Sequence, residues 1–153
     1  MIALDMKDLP ILGDPQPQGS GVDAPFWAAL NVGELRIERC VACRTWTWPP
    51  QFRCGECGSW DFAWEAVALQ GVVHSWTRNF QAFSPEWSAL TPYVSLMVEV
   101  PDAGDSRFMG LLIGEEGALR IGAAVAGVIQ PPGPDGQAVL RWKLVDQSSG
   151  ERR

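Results

Sequence analysis

The 153-residue sequence predicts a mainly β protein with a short N-terminal helix, a metal-stapled ribbon and a small closed barrel. Three observations predict it. All four cysteines lie between Cys40 and Cys57, as two Cys-x-x-Cys pairs separated by Arg44 to Arg53. From Ala66 onward, short β-like segments alternate with turn signals, and there are five of them. No apolar run approaches the ~20 residues that a membrane helix needs.

The elements follow in order. Residues 1–23 mix Pro, Gly, Gln and Ser without a sustained period and read as a flexible, surface-draped arm. Residues 24–65 hold the helix and the ribbon. Asp23 is placed as a helix N-cap with Pro25 just inside, and Gly33 as the stop. Phe26, Trp27 and Leu30 share one helical face. Leu35, Ile37 and Arg39 alternate with Arg36 and Glu38, which predicts a strand leading into the first cysteine turn. Pro49 and Pro50 stiffen the connection between the cysteine pairs by removing two backbone donors. Trp60, Phe62 and Trp64 alternate with Asp61, Ala63 and Glu65 in the returning strand.

Residues 66–146 supply the barrel. Its strands are read in QGVVHSWTRNF, YVSLMVEV, RFMGLLIG, AAVAGVIQ and AVLRWKLV, with a bulge or bend expected near Gly71. The connector EEGALRIG between the third and fourth strands fits an OB-type barrel, in which a turn or helix plugs one end. The loop QAFSPEWSALTP is long enough to carry function. Residues 147–153 form a polar tail.

Two Cys-x-x-Cys turns joined by a short hairpin bring four thiolates into a tetrahedral site. Cys40, Cys43, Cys54 and Cys57 are therefore expected to hold structural Zn2+, with iron the alternative for the same geometry. A two-disulfide framework is the competing reading. Four sulfurs leave a zinc ion no open position, so the metal is expected to hold a shape rather than perform chemistry.

The remaining chemistry is sparse. His74 is the single histidine and sits in a strand. No nucleophile elbow or phosphate-cradling glycine motif appears. Glu115 and Glu116 lie in a turn-like connector, where solvation is the simpler role. The N-terminus lacks the basic and apolar regions of a signal peptide, so a cytoplasmic location is expected, in keeping with metal-bound thiolates. The net charge of -6 weighs against nucleic-acid binding, which needs a basic stripe. Five of the eight tryptophans (Trp46, Trp48, Trp60, Trp64 and Trp76) fall in or just after the cysteine module. They are either its core or an aromatic contact surface.

In order along the chain, PFWAALNVGEL, CVACRTWTWPPQFRC, CGECGS, FAWEAVALQGVVHSWT, TPYVSLMVEV and LRIGAAVAGVI resemble the zinc-ribbon, OB-fold proteins associated with acyl-CoA metabolism, over about residues 24 to 146. The resemblance implies a rubredoxin-like zinc ribbon followed by a five-stranded OB barrel. It further implies a small subunit that is not catalytic alone, in a hetero-oligomer with a thiolase-fold protein. Such partners act on carbon–carbon bonds of acyl-CoA by thiolysis, retro-aldol cleavage or condensation, or transfer acyl groups. Two departures stand out: Arg44 occupies a position that is often glycine, and PDAGDSR replaces an acidic-glycine turn.

An acyl-CoA shared with that partner needs an aromatic slot for adenine and arginine for phosphate. Trp46, Trp48, Pro49, Arg53, Trp76 and Arg78 are the candidates, expected together on one side of the ribbon–barrel junction. Neither nucleic acid nor membrane is expected as a partner. Two other readings are a module for single-stranded nucleic acid, which stacks bases on aromatics, and a small independent thioester enzyme.

Overall fold

The computed structural model describes residues 3–9, 21–133 and 136–145. The expected polar tail and residues 1–2 and 10–20 of the expected arm lie outside them.

Helix α1 spans Ala24–Asn31, with Asp23 as N-cap, and the chain leaves it through Gly33 at φ +81°. The Asp23 carboxylate makes no capping bond to the backbone; it accepts the indole N–H of Trp27 at 2.9 Å. Strands β1 (Leu35–Cys40), β2 (Trp46–Thr47) and β3 (Phe62–Val67) form an antiparallel sheet in the order β2-β1-β3. Strands β4 (Gln70–Asn79), β5 (Tyr93–Val100), β6 (Ser106–Ile113), β7 (Ala124–Gln130) and β8 (Val139–Leu144) close into a barrel in the order β4-β5-β6-β8-β7. β7 pairs back onto β4, and among the described residues only β6 and β8 run parallel. This is the mainly β architecture the sequence predicts: helix, ribbon and five-stranded OB barrel.

One core runs through all three parts. Val73, Leu96, Val98, Val125 and Trp142 fill the barrel, and Phe26, Leu30, Leu35 and Ile37 join the same cluster from the helix and the ribbon. Burial of each such side chain contributes ~1.5–3 kcal/mol. β5 shows the cleanest register: Val94, Leu96, Val98 and Val100 point inward while the residues between them are half-buried. The 114–123 connector contains turns and no helix; it plugs the barrel with Leu119 and a Gly122 N–H donated to the Val73 carbonyl at 2.7 Å.

Three local expectations need correction. The strand irregularity lies between Val73 and Ser75, two residues beyond Gly71. Gly71 instead answers a close approach, because a Cβ there would come within 2.4 Å of Val98 Cγ1. Glu38, placed by alternation on a polar face, is 3% exposed, because β1 is the central strand and the cysteine hairpin folds over it. Glu116 is not solvated: its side chain is 11% exposed and pairs with Arg78 at 2.5 Å. Residues 3–9 also lie against the barrel. Leu4 and Leu9 are buried beside Leu111 and Ile113, and the Gly114 N–H donates to the Leu4 carbonyl at 2.6 Å.

Gly110 is a second close approach in the barrel. A Cβ there would sit 2.7 Å from Trp142 Cδ1 and 3.1 Å from the Leu140 carbonyl oxygen. Gly110→Ala is therefore expected to cost ~1–3 kcal/mol through overpacking. Gly117→Ala, which meets open space, should leave stability nearly unchanged. Thermal unfolding of the two variants side by side checks this.

Candidate metal centre and the adjoining aromatic face

The two Cys-x-x-Cys segments fold into matching loops. In the first, Cys40 N–H donates to the Thr45 carbonyl at 2.9 Å and Arg44 N–H to the Cys40 carbonyl at 3.0 Å. In the second, Cys54 N–H donates to Ser59 at 2.8 Å and Gly58 N–H to Cys54 at 2.9 Å. Both loops close with a residue in the left-handed region, Arg44 at φ +63° and Gly58 at φ +75°. Glycine adopts that conformation freely, whereas another residue there costs roughly 1–2 kcal/mol. The structure shows what holds Arg44 in place. Its guanidinium pairs with Glu65 at 2.6 Å, Arg39 Nη1 reaches the other Glu65 oxygen at 3.0 Å, and Arg39 Nε donates to the Arg44 carbonyl at 2.7 Å. Arg39, followed by Arg44, holds the Glu65 carboxyl below its usual range.

The four sulfurs lie within 4.8 Å of one another. Cys40–Cys57 and Cys43–Cys54 are each separated by 3.6 Å. A disulfide needs ~2.05 Å, so neither contact is one. Four thiolates at ~2.3 Å from a tetrahedral zinc ion stand about 3.8 Å apart, which these separations match. Cys40 and Cys54 are buried, whereas Cys43 and Cys57 face outward. Hydrogen bonds to the Thr45 hydroxyl and backbone lower the Cys43 thiol to about 6, while Cys57, despite a bond to the Ser59 backbone that lowers it, is raised to about 12 by its contact with Cys43 and by burial, so that a cation is needed to hold all four sulfurs as thiolates. All four positions around the ion would be filled by protein, which is the pattern of a structural site.

The hairpin between the two pairs is clamped from below. After Pro49 and Pro50, the first backbone N–H is that of Gln51, and it donates to the buried Glu38 carboxylate at 2.9 Å. Burial raises the Glu38 pKa, and the Gln51 bond opposes that rise. Strand alternation could not reveal this role, because the bond spans thirteen residues.

Beyond the clamp, Trp48 meets the rest of the molecule. Its ring centroid is 4.5 Å from Phe26 on α1 and 4.5 Å from Phe108 on β6. Ribbon, helix and barrel therefore join through three aromatic rings. A largely apolar cavity of about 360 Å³ opens beside them, walled by Trp27, Trp48, Pro49, Met97 and Leu140. Arg107 also lines it and pairs with Glu99 at 3.2 Å. Sequence reasoning missed Met97, Arg107, Phe108 and Met109, which alternate unremarkably along β5 and β6.

The six residues expected on one face divide among separate places. Trp48 and Pro49 line the cavity. Trp46 lies under Arg39, 4.5 Å from the guanidinium, and against Gly104 of the β5–β6 turn. Arg53 folds back within the second cysteine loop, donating to the Gly58 carbonyl at 3.1 Å and lying 5.6 Å above Trp60. Trp76 and Arg78 belong to β4, where Trp76 is 41% exposed and Arg78 is bound to Glu116. The arginines thus do not converge on the Trp48 slot. Trp60 and Phe52 project from the ribbon, 71% and 69% exposed.

Comparison with known proteins locates this architecture. Residues 27–63 match the ChsH2 rubredoxin-like zinc ribbon domain, and residues 64–130 match the ChsH2 C-terminal OB-fold domain. A chain of the Ltp2–ChsH2(DUF35) aldolase superposes with a TM-score of 0.74 at 26% identity, covering 84% of this chain and 98% of that one. A DUF35-family protein of unknown function from Sulfolobus solfataricus shares the fold, with a TM-score of 0.54 and 14% identity over 82% of this chain and 87% of its own. A probable enoyl-CoA hydratase alpha subunit from Thermomonospora curvata is 30% identical over 100 residues, 65% of this chain; the match spans only 30% of that relative's length. With a four-cysteine ribbon leading directly into a closed OB barrel, and both halves matched in order, the chain belongs to the ChsH2 family of zinc-ribbon, OB-fold proteins.

Proposed function

We propose that this chain is a non-catalytic, zinc-binding subunit of an acyl-CoA complex in which a thiolase-fold partner makes or breaks a carbon–carbon bond, as in a retro-aldol or thiolytic step. The observation that carries this reading is the likeness to a chain of the Ltp2–ChsH2(DUF35) aldolase, which spans 98% of that chain. The filled donor set of the metal centre agrees with an accessory role, since it leaves no position for substrate. His74 also fits a structural part: it sits at the β4 irregularity, 3.4 Å from Glu99. Metal-bound thiolates suit a reducing cytoplasm. No helix among the described residues is long and apolar enough to cross a membrane.

The cavity beside Trp48 and Pro49 is the part of the chain best suited to an adenine or to a partner side chain. Its volume and apolar walls fall within the range of small-ligand sites. Trp46 and Trp76 are secondary contact candidates. Arg53 and Arg78 would have to leave their present partners to meet a phosphate. Arg36, Arg39, Arg44, Arg78 and Arg107 are all paired with carboxylates, which weighs against the single-stranded nucleic-acid reading.

Co-expression with a thiolase-fold protein from the same organism tests the proposal. The two are expected to co-elute, and turnover of an acyl-CoA by the partner should depend on this chain. A chain that elutes alone, beside a partner fully active without it, would remove the proposal.

A further inference from the structure

The Trp48 cavity has one charged residue in its lining, and that residue is a cation. Arg107 of β6 shares the wall with the rings of Trp27, Trp48 and Phe108 and the side chains of Met97 and Met109. No carboxylate lines the same space. An arginine set against a ring-walled apolar hollow suits an anion that carries a flat apolar body.

Arg107 is held only lightly where it stands. Glu99 lies directly opposite on β5, and its Oε2 accepts from Arg107 Nε at 3.2 Å. The Arg107 side chain is 53% exposed, and ion pairs in such surroundings add little stability. Among the described residues no other acceptor meets the guanidinium, so its two terminal nitrogens are not engaged. Glu99 does not depend on Arg107 either. The same Oε2 lies 3.4 Å from Nδ1 of His74, which sits at the irregularity of β4. An anion in the cavity can therefore draw Arg107 away while Glu99 keeps a neighbour.

We propose that Arg107 reads a phosphate at the Trp48 cavity, exchanged from Glu99 onto the nucleotide end of an acyl-CoA. This rests on the acyl-CoA reading above. The adenine lies against the rings, as bases stack on aromatic side chains. The terminal nitrogens of Arg107 donate to the phosphate with the planar fork that arginine presents. The pantetheine arm and thioester then leave the cavity toward the thiolase-fold partner, where the bond chemistry takes place. A single arginine reads a single phosphate group and does not make the basic groove of a nucleic-acid binder.

The test uses the full, zinc-loaded chain without a partner, titrated calorimetrically with coenzyme A, ATP, adenosine and pantetheine. Coenzyme A should bind most tightly, adenosine more weakly, and pantetheine not at all. Arg107→Gln should weaken coenzyme A about tenfold, as loss of a charge-assisted bond does, and leave adenosine unchanged. Glu99→Gln removes the competing carboxylate and should tighten coenzyme A several-fold. A merely structural Glu99–Arg107 pair would move neither affinity. Coenzyme A that does not bind, that binds Arg107→Gln as well as wild type, or that binds more weakly than ATP or no better than pantetheine would overturn the inference. Co-elution separates this outcome from the proposed function: a chain that joins its partner but binds no coenzyme A loses only the cavity site. A chain that binds coenzyme A but never joins a thiolase-fold protein loses the proposed assembly and keeps the site.

Discussion

Cys40→Ser is expected to release the metal and unfold the ribbon. Cys40 is wholly buried at the end of β1, where its backbone also anchors the first cysteine loop. A serine hydroxyl stays protonated near neutral pH and cannot replace a thiolate. Structural zinc contributes on the order of 10 kcal/mol in small zinc modules, and the ribbon sheet has only three strands to set against that loss. Cys57→Ser should act in the same direction, and chelation of the wild-type protein should reproduce it. Acidification should too, because protons compete with the metal for thiolates, so occupancy falls as pH falls. Cobalt substitution gives the readout: a thiolate-to-metal absorption band that titrates to one ion per chain and is lost in the variants. Assembly with the proposed thiolase-fold partner should fail in parallel, since the clamped hairpin hangs from the same two loops. A Cys40→Ser protein with an unchanged unfolding midpoint and intact assembly would show that the site does not hold the ribbon.

The metal centre was legible because its information is local: two short spacings bring four sulfurs together whatever the rest of the chain does. The barrel was legible for a related reason. β5 alternates buried and half-buried residues without interruption, and turn residues mark each strand end. What escaped depends on distant neighbours. Glu38 reads as solvent-facing until the hairpin thirteen residues on folds over it. Leu4 and Leu9 have no period to announce them, and become core only because Leu111 and Ile113 leave an apolar strip outside the barrel. Arg53 and Arg78 look available in the sequence, but Gly58, Trp60 and Glu116 engage them first. Arg141 escaped too, since a charged residue at an outward-facing position of β8 gives no hint of being only 4% exposed.

Phe108→Ala is expected to separate the ribbon and helix from the barrel, at a cost of ~3–5 kcal/mol. The side chain is 2% exposed and stands between Phe26 and Trp48, stacked with the first at 6.4 Å and tilted against the second at 4.5 Å. Its loss leaves a void that neither neighbour can readily fill. Trp48 is fixed in the clamped hairpin, and α1 is tied at its far end by Asn31, whose Oδ1 accepts from Gln137 at 2.7 Å and from the Ala138 N–H at 3.0 Å. Domains of this kind hold only ~5–15 kcal/mol in total, so the loss is large enough to break cooperativity. Urea unfolding followed by far-UV dichroism and by tryptophan fluorescence should give coincident curves for the wild type and displaced curves for the variant. Phe83→Ala, at an 80% exposed position, is the control and should change stability by less than about 0.5 kcal/mol. Because Trp48 and Phe108 also wall the cavity, the variant should lose ligand or partner affinity even at temperatures where it remains folded. Equal stability of the two variants would mean that Gln137 and the other helix–barrel contacts, rather than the three rings, hold the ribbon to the barrel.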